Sequence, residues 1–168
     1  MNNGSIGGLV PFDQMENEGA PQRAFAYYET IGGRMGSRPN ADGPSALHSH
    51  MTNTLNTPIE ALEYAYPLHI MRYEVRHDSG RLGRFRGGDG IRRDIQVLTD
   101  CQVTLLTDRR VLAPYGLAGG KPGQSGENVL LRDGKEIPLP AKGTIEMKAG
   151  EILSIRTPGG DGYGTEKN

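Results

Sequence analysis

Two histidines at alternate positions stand in the segment richest in reactive side chains. His48 and His50 are two residues apart, so on an extended chain both imidazoles project to the same face. Such a pair can hold a metal ion or an anionic substrate, with Asp42 as a further candidate ligand. Alternatively, both histidines hydrogen-bond neighbouring loops. A cupin-like metal-binding domain stays an alternative, although Thr54 and Leu55 stand where a cupin carries a glutamate.

Polar groups beside the histidines predict contacts to a small polar substrate. The hydroxyl and amide groups of residues 52–54, followed by Asn56 and Thr57, can orient such a molecule, although the same residue types form turns. Arg109 follows an apolar alternating run and predicts an anion clamp, with a solvated ion pair as the alternative. The candidate catalytic residues are His48 and His50, and the candidate substrate-binding residues are Asp42, Thr52, Asn53, Thr54 and Arg109.

Three other features carry no chemistry in our interpretation. The glycine-rich segments 87–90 and 116–121 lack the spacing of a phosphate-binding P-loop and are predicted to be turns. Cys101 is the single cysteine and lies in an apolar alternating run, so we expect a buried thiol in a reducing compartment.

Composition limits the class of protein. The 168 residues fit one domain, and a net charge of −1 favours neither nucleic acid nor an anionic membrane as a partner. No stretch approaches the roughly 18 apolar residues that a membrane span requires. We therefore expect a cytoplasmic protein.

The elements that must position these residues are mainly strands. Aromatic and β-branched runs separated by glycine turns predict a mainly β fold of about eight strands, in sandwich or barrel-like sheets, with one or two short helices. Residues 1–23 predict an irregular N-terminal arm, or a strand that needs a neighbour, and residues 24–168 a single β-rich domain. A capping box at 57–60 predicts one helix of about two turns.

The turn signals predict three hairpins. Asp133-Gly134 is the strongest of them, flanked by runs at 128–132 and 135–139. Thr99-Asp100 and Ala149-Gly150 each separate two runs with the period of a strand, so each is predicted to join a hairpin as well. Residues 24–31 and 68–76 predict two further strands.

Several motifs, taken together, resemble the C-terminal part of the hydantoinase B/oxoprolinase family. That family includes N-methylhydantoinase B, 5-oxoprolinase and the homologous large subunits of acetone and acetophenone carboxylases. The resemblance covers essentially the whole chain and includes a departure at Arg34, where the family usually continues its glycine run. The motifs are Met1 to Asn3, Tyr27 to Gly33, His48 to Thr54, Asn56 to Glu60, Tyr73 to Arg76, Gly83 to Gly90, Asp108 to Arg110, Pro114 to Gly120 and Thr157 to Gly164.

The resemblance implies a subunit or fragment of an ATP-dependent cyclic-amide hydrolase, or of a related ketone carboxylase. It implies a hetero-oligomer with an N-terminal hydantoinase B-type chain and a hydantoinase A-type subunit. ATP and a divalent metal would be bound mainly outside this chain, and the isolated chain would be inactive. Two alternatives stay open: a non-catalytic module that completes the assembly, and a truncated gene product.

Overall fold

The computed structural model describes residues 2–11, 22–49 and 53–166. Within these ranges the chain forms nine strands and one helix, which confirms the predicted mainly β class. The elements are β1 Asn2–Pro11, β2 Gln22–Thr30, α1 Ile59–Ala65, β3 Leu68–Arg76, β4 Gly90–Val97, β5 Cys101–Thr107, β6 Glu127–Arg132, β7 Lys135–Pro138, β8 Lys142–Met147 and β9 Ile152–Arg156. No helix in the described ranges is long and apolar enough to cross a membrane.

Two antiparallel sheets form a sandwich. The four-stranded sheet has the order β2-β1-β5-β8, and the five-stranded sheet has the order β3-β4-β9-β6-β7. Inward side chains of both sheets belong to one apolar cluster, for example Val103 of β5 and Leu153 of β9. Burial of alternate residues along β5 matches the predicted period of two and encloses Cys101 at one end.

Of the two alternatives predicted for the N-terminal residues, an irregular arm is wrong for residues 2–11, which form strand β1, and a strand that needs a neighbour is correct. Ile6 of β1 faces Tyr27 of β2 on one side and Val103 of β5 on the other. Residues 2–11 therefore have the neighbours that a strand requires, and both come from later parts of the chain. β1 is an interior strand of its sheet, where its backbone groups can pair on both sides.

The helix forms as predicted, but its predicted cap is wrong. Helix α1 begins at Ile59 after Pro58, and no side chain caps its first turn. The backbone N–H of Thr57 instead donates to a carboxylate oxygen of Glu29 at 3.0 Å. Tertiary contact with β2 thus takes the place of the local capping box.

Only one of the three predicted hairpins is correct. Arg132 pairs with Lys135 across Asp133-Gly134, whose φ angles of 52° and 72° suit a tight hairpin turn. Strands β4 and β5 do not pair with each other, because β4 lies in the five-stranded sheet and β5 in the four-stranded one. Likewise β8 and β9 belong to different sheets, so Ala149-Gly150 carries the chain across the sandwich.

The glycine-rich tail after β9 holds the surrounding loops together. Gly160 donates a backbone hydrogen bond to Gly88 at 2.7 Å, and Gly162 donates one to Lys121 at 2.9 Å. A Cβ atom at Gly159 would collide with the carbonyl of Ser79, so the backbones touch directly there. Residues 87–90 and 116–121, which were predicted to be turns, therefore pack against this tail and hydrogen-bond to it.

Candidate functional site

The candidate site lies where three strands of the four-stranded sheet begin or end. β2 ends at Thr30, β5 ends at Thr107, and β8 begins nearby because Leu106 pairs with Lys142. The first residues of β1 connect the two ends, since Asn3 pairs with both Thr30 and Leu106. The loops that leave these strands carry most of the residues predicted from sequence.

His48 is held against the chain that leaves β2. Its imidazole packs on Gly32, where an added Cβ would lie 2.8 Å from the ring Cδ2 and 2.9 Å from Nε2. On the same ring, Nε2 lies 2.9 Å from Oδ1 of Asn56. Gly32 therefore leaves room for an imidazole whose position is fixed by a hydrogen bond.

Asn56 determines which nitrogen of His48 carries the proton. Its Nδ2 donates to the carbonyl of Thr30 at 3.0 Å, so its Oδ1 must be the atom that faces His48. The same Oδ1 accepts a hydrogen bond from the hydroxyl of Tyr73 at 2.8 Å. The neutral ring therefore donates through Nε2, which defines its tautomer.

A buried ion pair lies behind Tyr73. Arg93 is fully buried on β4, and its Nη1 donates to the carboxylate of Glu29 on β2, so the pair joins the two sheets. The guanidinium also lies 5.0 Å from the centre of the Tyr73 ring, within cation–π range. We call His48, Asn56, Tyr73, Glu29 and Arg93 the histidine network.

Burial controls the ionisation of the tyrosines near this network. It raises the pKa of Tyr73, with Glu29 adding to the rise and Arg93 opposing it. Burial also raises the pKa of Tyr27 far above its usual range, and the neighbouring Glu29 adds to that rise. Both phenols are therefore neutral at physiological pH, and Tyr73 acts as a hydrogen-bond donor.

The remaining predicted residues of this segment are spread along its surface. Asn53 and Thr54 are exposed. Asp42 is exposed too, and its carboxylate accepts a hydrogen bond from the backbone N–H of Arg86 at 2.7 Å, which joins two loops. His50 and Thr52 lie outside the described residues, so their roles stay predictions.

Arg109 lies in a cleft of about 780 Å³ at the same end of the sheet. Its guanidinium is 5.7 Å from the centre of the Tyr115 ring. We call this the arginine cleft. It is lined by Arg34, Thr107, Asp108, Arg109, Arg110, Val111, Leu112, Pro114, Tyr115, Leu117, Ala141, Lys142 and Asp161.

The part of the chain that the structure describes contains no cluster of side chains suited to bind a metal ion. Nowhere in residues 2–11, 22–49 and 53–166 do three or more His, Cys, Asp or Glu side chains converge on a common point. Nε2 of His48 is engaged with Asn56. Cys101 is buried, and burial raises the pKa of its thiol to about 11, so it is a poor ligand and nucleophile at neutral pH.

Sequence reasoning missed Glu29, Arg93 and Tyr73. A signal for the ion pair was present, because Arg93 shares its strand face with Ile91 and Ile95, which are buried. Glu29 likewise shares its face with Tyr27, also buried. Charges of opposite sign on two inward faces indicate a buried pair, since an isolated buried charge is costly.

Comparison with known proteins gives one family. The family model described as Hydantoinase B/oxoprolinase matches residues 1–166. A 5-oxoprolinase of Arabidopsis thaliana is 45% identical over 84% of the chain, which spans 11% of that relative. The chain is thus similar to a small part of a much longer protein.

Two solved structures share the fold. An ATP-dependent caprolactamase from Pseudomonas jessenii superimposes with a TM-score of 0.75 and 26% identity, over 96% of this chain and 28% of the caprolactamase chain. Nucleotide-free acetone carboxylase superimposes with a TM-score of 0.71 and 20% identity, over 98% of this chain and 25% of its own, and at that identity it supports the fold alone. The match over nearly the whole length shows that the chain belongs to the hydantoinase B/oxoprolinase family.

Proposed function

We propose that this chain is a domain of an ATP-dependent cyclic-amide hydrolase of the hydantoinase/oxoprolinase type. The observation that carries the proposal is the histidine network, which presents one imidazole in one tautomer and one orientation. Ring opening of a lactam needs proton transfer to or from the amide, and a positioned histidine suits that task near neutral pH. The named relatives, a 5-oxoprolinase and a caprolactamase, act on cyclic amides.

His48 is the proposed general acid or base, with His50 as a second candidate. Asn56 is a positioning residue, because its hydrogen bond to Nε2 of His48 fixes the orientation of the imidazole. Asp42, Thr52, Asn53, Thr54 and Arg109 stay the proposed substrate contacts. A ketone carboxylase is the alternative, and the substrate distinguishes the two.

Other chains complete the enzyme in this proposal. The chain spans only 11% to 28% of the relatives named above, which supports a location of the remaining catalytic machinery outside it. We propose an N-terminal hydantoinase B-type chain and a hydantoinase A-type subunit as partners in a cytoplasmic hetero-oligomer. ATP and a divalent metal would bind mainly outside this chain, and the isolated chain would be inactive.

The first test is recovery of the assembly from native cells. The tagged chain is purified, its partners are identified by mass spectrometry, and ATP hydrolysis is measured with and without 5-oxoproline, hydantoin and caprolactam. Recovery of two larger subunits with lactam-dependent hydrolysis supports the proposal. Hydrolysis that responds to acetone and bicarbonate instead identifies the carboxylase, and a lone inactive chain contradicts both.

The second test is His48→Gln in the assembled enzyme. The glutamine amide can still donate to Asn56, but it cannot accept and return a proton at neutral pH. We expect turnover to fall by about a hundredfold or more while the subunits still co-purify. His50→Ala is expected to lower turnover as well.

His77→Ala provides the matched control, because His77 is exposed on the turn after β3, outside the histidine network. Unchanged turnover in His48→Gln would remove His48 from proton transfer and leave this region a structural role in assembly.

A further inference from the structure

The arginine cleft carries an excess of positive charge. Four of its lining residues are cations and two are carboxylates: Arg34, Arg109, Arg110 and Lys142 against Asp108 and Asp161. A concave surface lined mainly by one sign of charge attracts and retains ions of the opposite sign. The whole chain has a net charge of −1, so this excess is local.

Arg34 is incompletely bonded inside the cleft. Its Nε is buried and has no hydrogen-bond partner among the described residues. Burial lowers the pKa of Arg34, Asp161 opposes that effect and the charge of Arg109, which lines the same cleft, adds to it. A buried donor without an acceptor is unfavourable, and an anion in the cleft would supply both the acceptor and the compensating charge.

Arg109 is held in a backbone conformation that few residues adopt. Its φ is 61°, in the left-handed region, and its carbonyl accepts a hydrogen bond from Gly126 at 2.9 Å. Strained conformations of this kind persist where neighbouring structure fixes them, and they concentrate at binding sites. Its guanidinium contacts the Tyr115 ring and forms no salt bridge with a described residue.

The other two cations have partners already. Arg110 donates to Oδ1 of Asn128 from Nε at 3.1 Å and from Nη2 at 2.8 Å, which fixes its position. Nζ of Lys142 lies 3.6 Å from a carboxylate oxygen of Asp108, and both side chains are exposed. Arg34 and Arg109 are therefore the two guanidinium groups available to bind a ligand.

We propose that the arginine cleft binds an oxyanion group of a small molecule, a carboxylate or a phosphate, between Arg34 and Arg109. Guanidinium groups recognise both anions through paired N–H donors. The cleft volume of about 780 Å³ suits a whole small molecule rather than an isolated ion. Tyr115 offers an apolar face beside the anion.

Isothermal titration calorimetry of the chain tests the proposal with inorganic phosphate and with glutarate, at constant ionic strength. The variants are Arg34→Gln and Arg109→Gln. Arg38→Gln is the matched control, because Arg38 is an exposed arginine on the same loop as Arg34 but does not line the cleft. Thermal melting of every variant, with and without the anion, reports whether each one folds and whether the anion stabilises it.

We expect saturable binding by the unmodified chain, a loss of affinity of at least about tenfold in each cleft variant, and no change in Arg38→Gln. Binding of phosphate alone identifies a phosphoryl ligand, and binding of glutarate alone identifies a carboxylate. Absence of saturable binding of both, or equal binding by Arg109→Gln, overturns the proposal. The assay measures binding by this chain, so its outcome does not depend on His48 acting in catalysis.

Discussion

The histidine network and the arginine cleft share one end of the four-stranded sheet but treat charge in opposite ways. In the network, the guanidinium of Arg93 is paired with the carboxylate of Glu29. The side chain of Asn56 both accepts a hydrogen bond, from His48, and donates one, to the carbonyl of Thr30. In the cleft, Nε of Arg34 has no partner among the described residues and cations outnumber carboxylates. The network positions a proton-transfer group, whereas the cleft leaves charge for a ligand to neutralise.

The difference shows that burial of an arginine does not by itself reveal whether the residue stabilises the fold or binds a ligand. Arg93 and Arg34 each have a buried Nε without a partner in the described ranges, yet only Arg93 has a carboxylate bonded to another of its nitrogens. A paired buried arginine connects the two sheets, and an unpaired one is a candidate for binding. The following variants test whether that distinction is real.

The largest effect is expected for Glu29→Ala. The substitution leaves the fully buried Arg93 without its carboxylate and removes the acceptor of the Thr57 N–H. Breaking such a pair costs about 3–5 kcal/mol of the free energy of unfolding. Chemical denaturation of the variant and of the unmodified chain measures this loss.

Glu136→Ala is the control for that measurement, since Glu136 pairs with Arg156 at an exposed position and should cost much less. Equal losses in the two variants would mean that Glu29 and Arg93 do not form the buried link described above.

An intermediate effect is expected for Tyr27→Phe at alkaline pH. The folded-state pKa of Tyr27 is raised above its ordinary 10.0, mainly by burial. Below pH 10 both states keep the proton, and above it the unfolded chain releases the proton while the native chain holds it. Stability should therefore fall with rising pH by about 1.4 kcal/mol per unit, and the variant should lose that component.

Unfolding curves measured between pH 9 and pH 11 in both proteins make the comparison. Burial also raises the pKa of the Cys101 thiol, from 9.0 to about 11. Its effect on the pH dependence of stability is the same in both proteins, because both contain Cys101. An identical pH slope in Tyr27→Phe would show that the phenol is not buried in the native chain.

The smallest effect is expected for Arg34→Gln in the absence of ligand. Removing a cation that has an unpaired buried donor should change the free energy of unfolding by about 1 kcal/mol or less, in either direction. Denaturation in an anion-free buffer measures this change. If Arg34→Gln lowered the free energy of unfolding as much as Glu29→Ala does, Arg34 would stabilise the fold in the way that Arg93 does.

The sequence predicted the elements of the fold better than their pairing. The Asp133-Gly134 turn was identified because its residues suit only a tight connection. Thr99-Asp100 and Ala149-Gly150 carry similar turn residues, yet each joins strands of different sheets. A turn signal reports that the chain changes direction, and packing of the next strand decides which sheet it enters.

The site was predicted in part for the same reason. His48 could be named from its residue type, and Asn56 follows closely enough to belong to the same polar cluster. Tyr73 and Arg93 reach the network from strands far along the chain, and that approach depends on sandwich closure. Arg34 was singled out as a departure from the family pattern, and its unpaired Nε became visible only in three dimensions.

The position of β9 determines when the five-stranded sheet can be completed during synthesis. β9 lies between β4 and β6, so the five-stranded sheet stays in two separate pieces until the last of its strands has been made. Those pieces present unpaired strand edges to solvent while the ribosome is still at work. The nascent five-stranded sheet is therefore most exposed to aggregation and to chaperones in the seconds before β9 emerges.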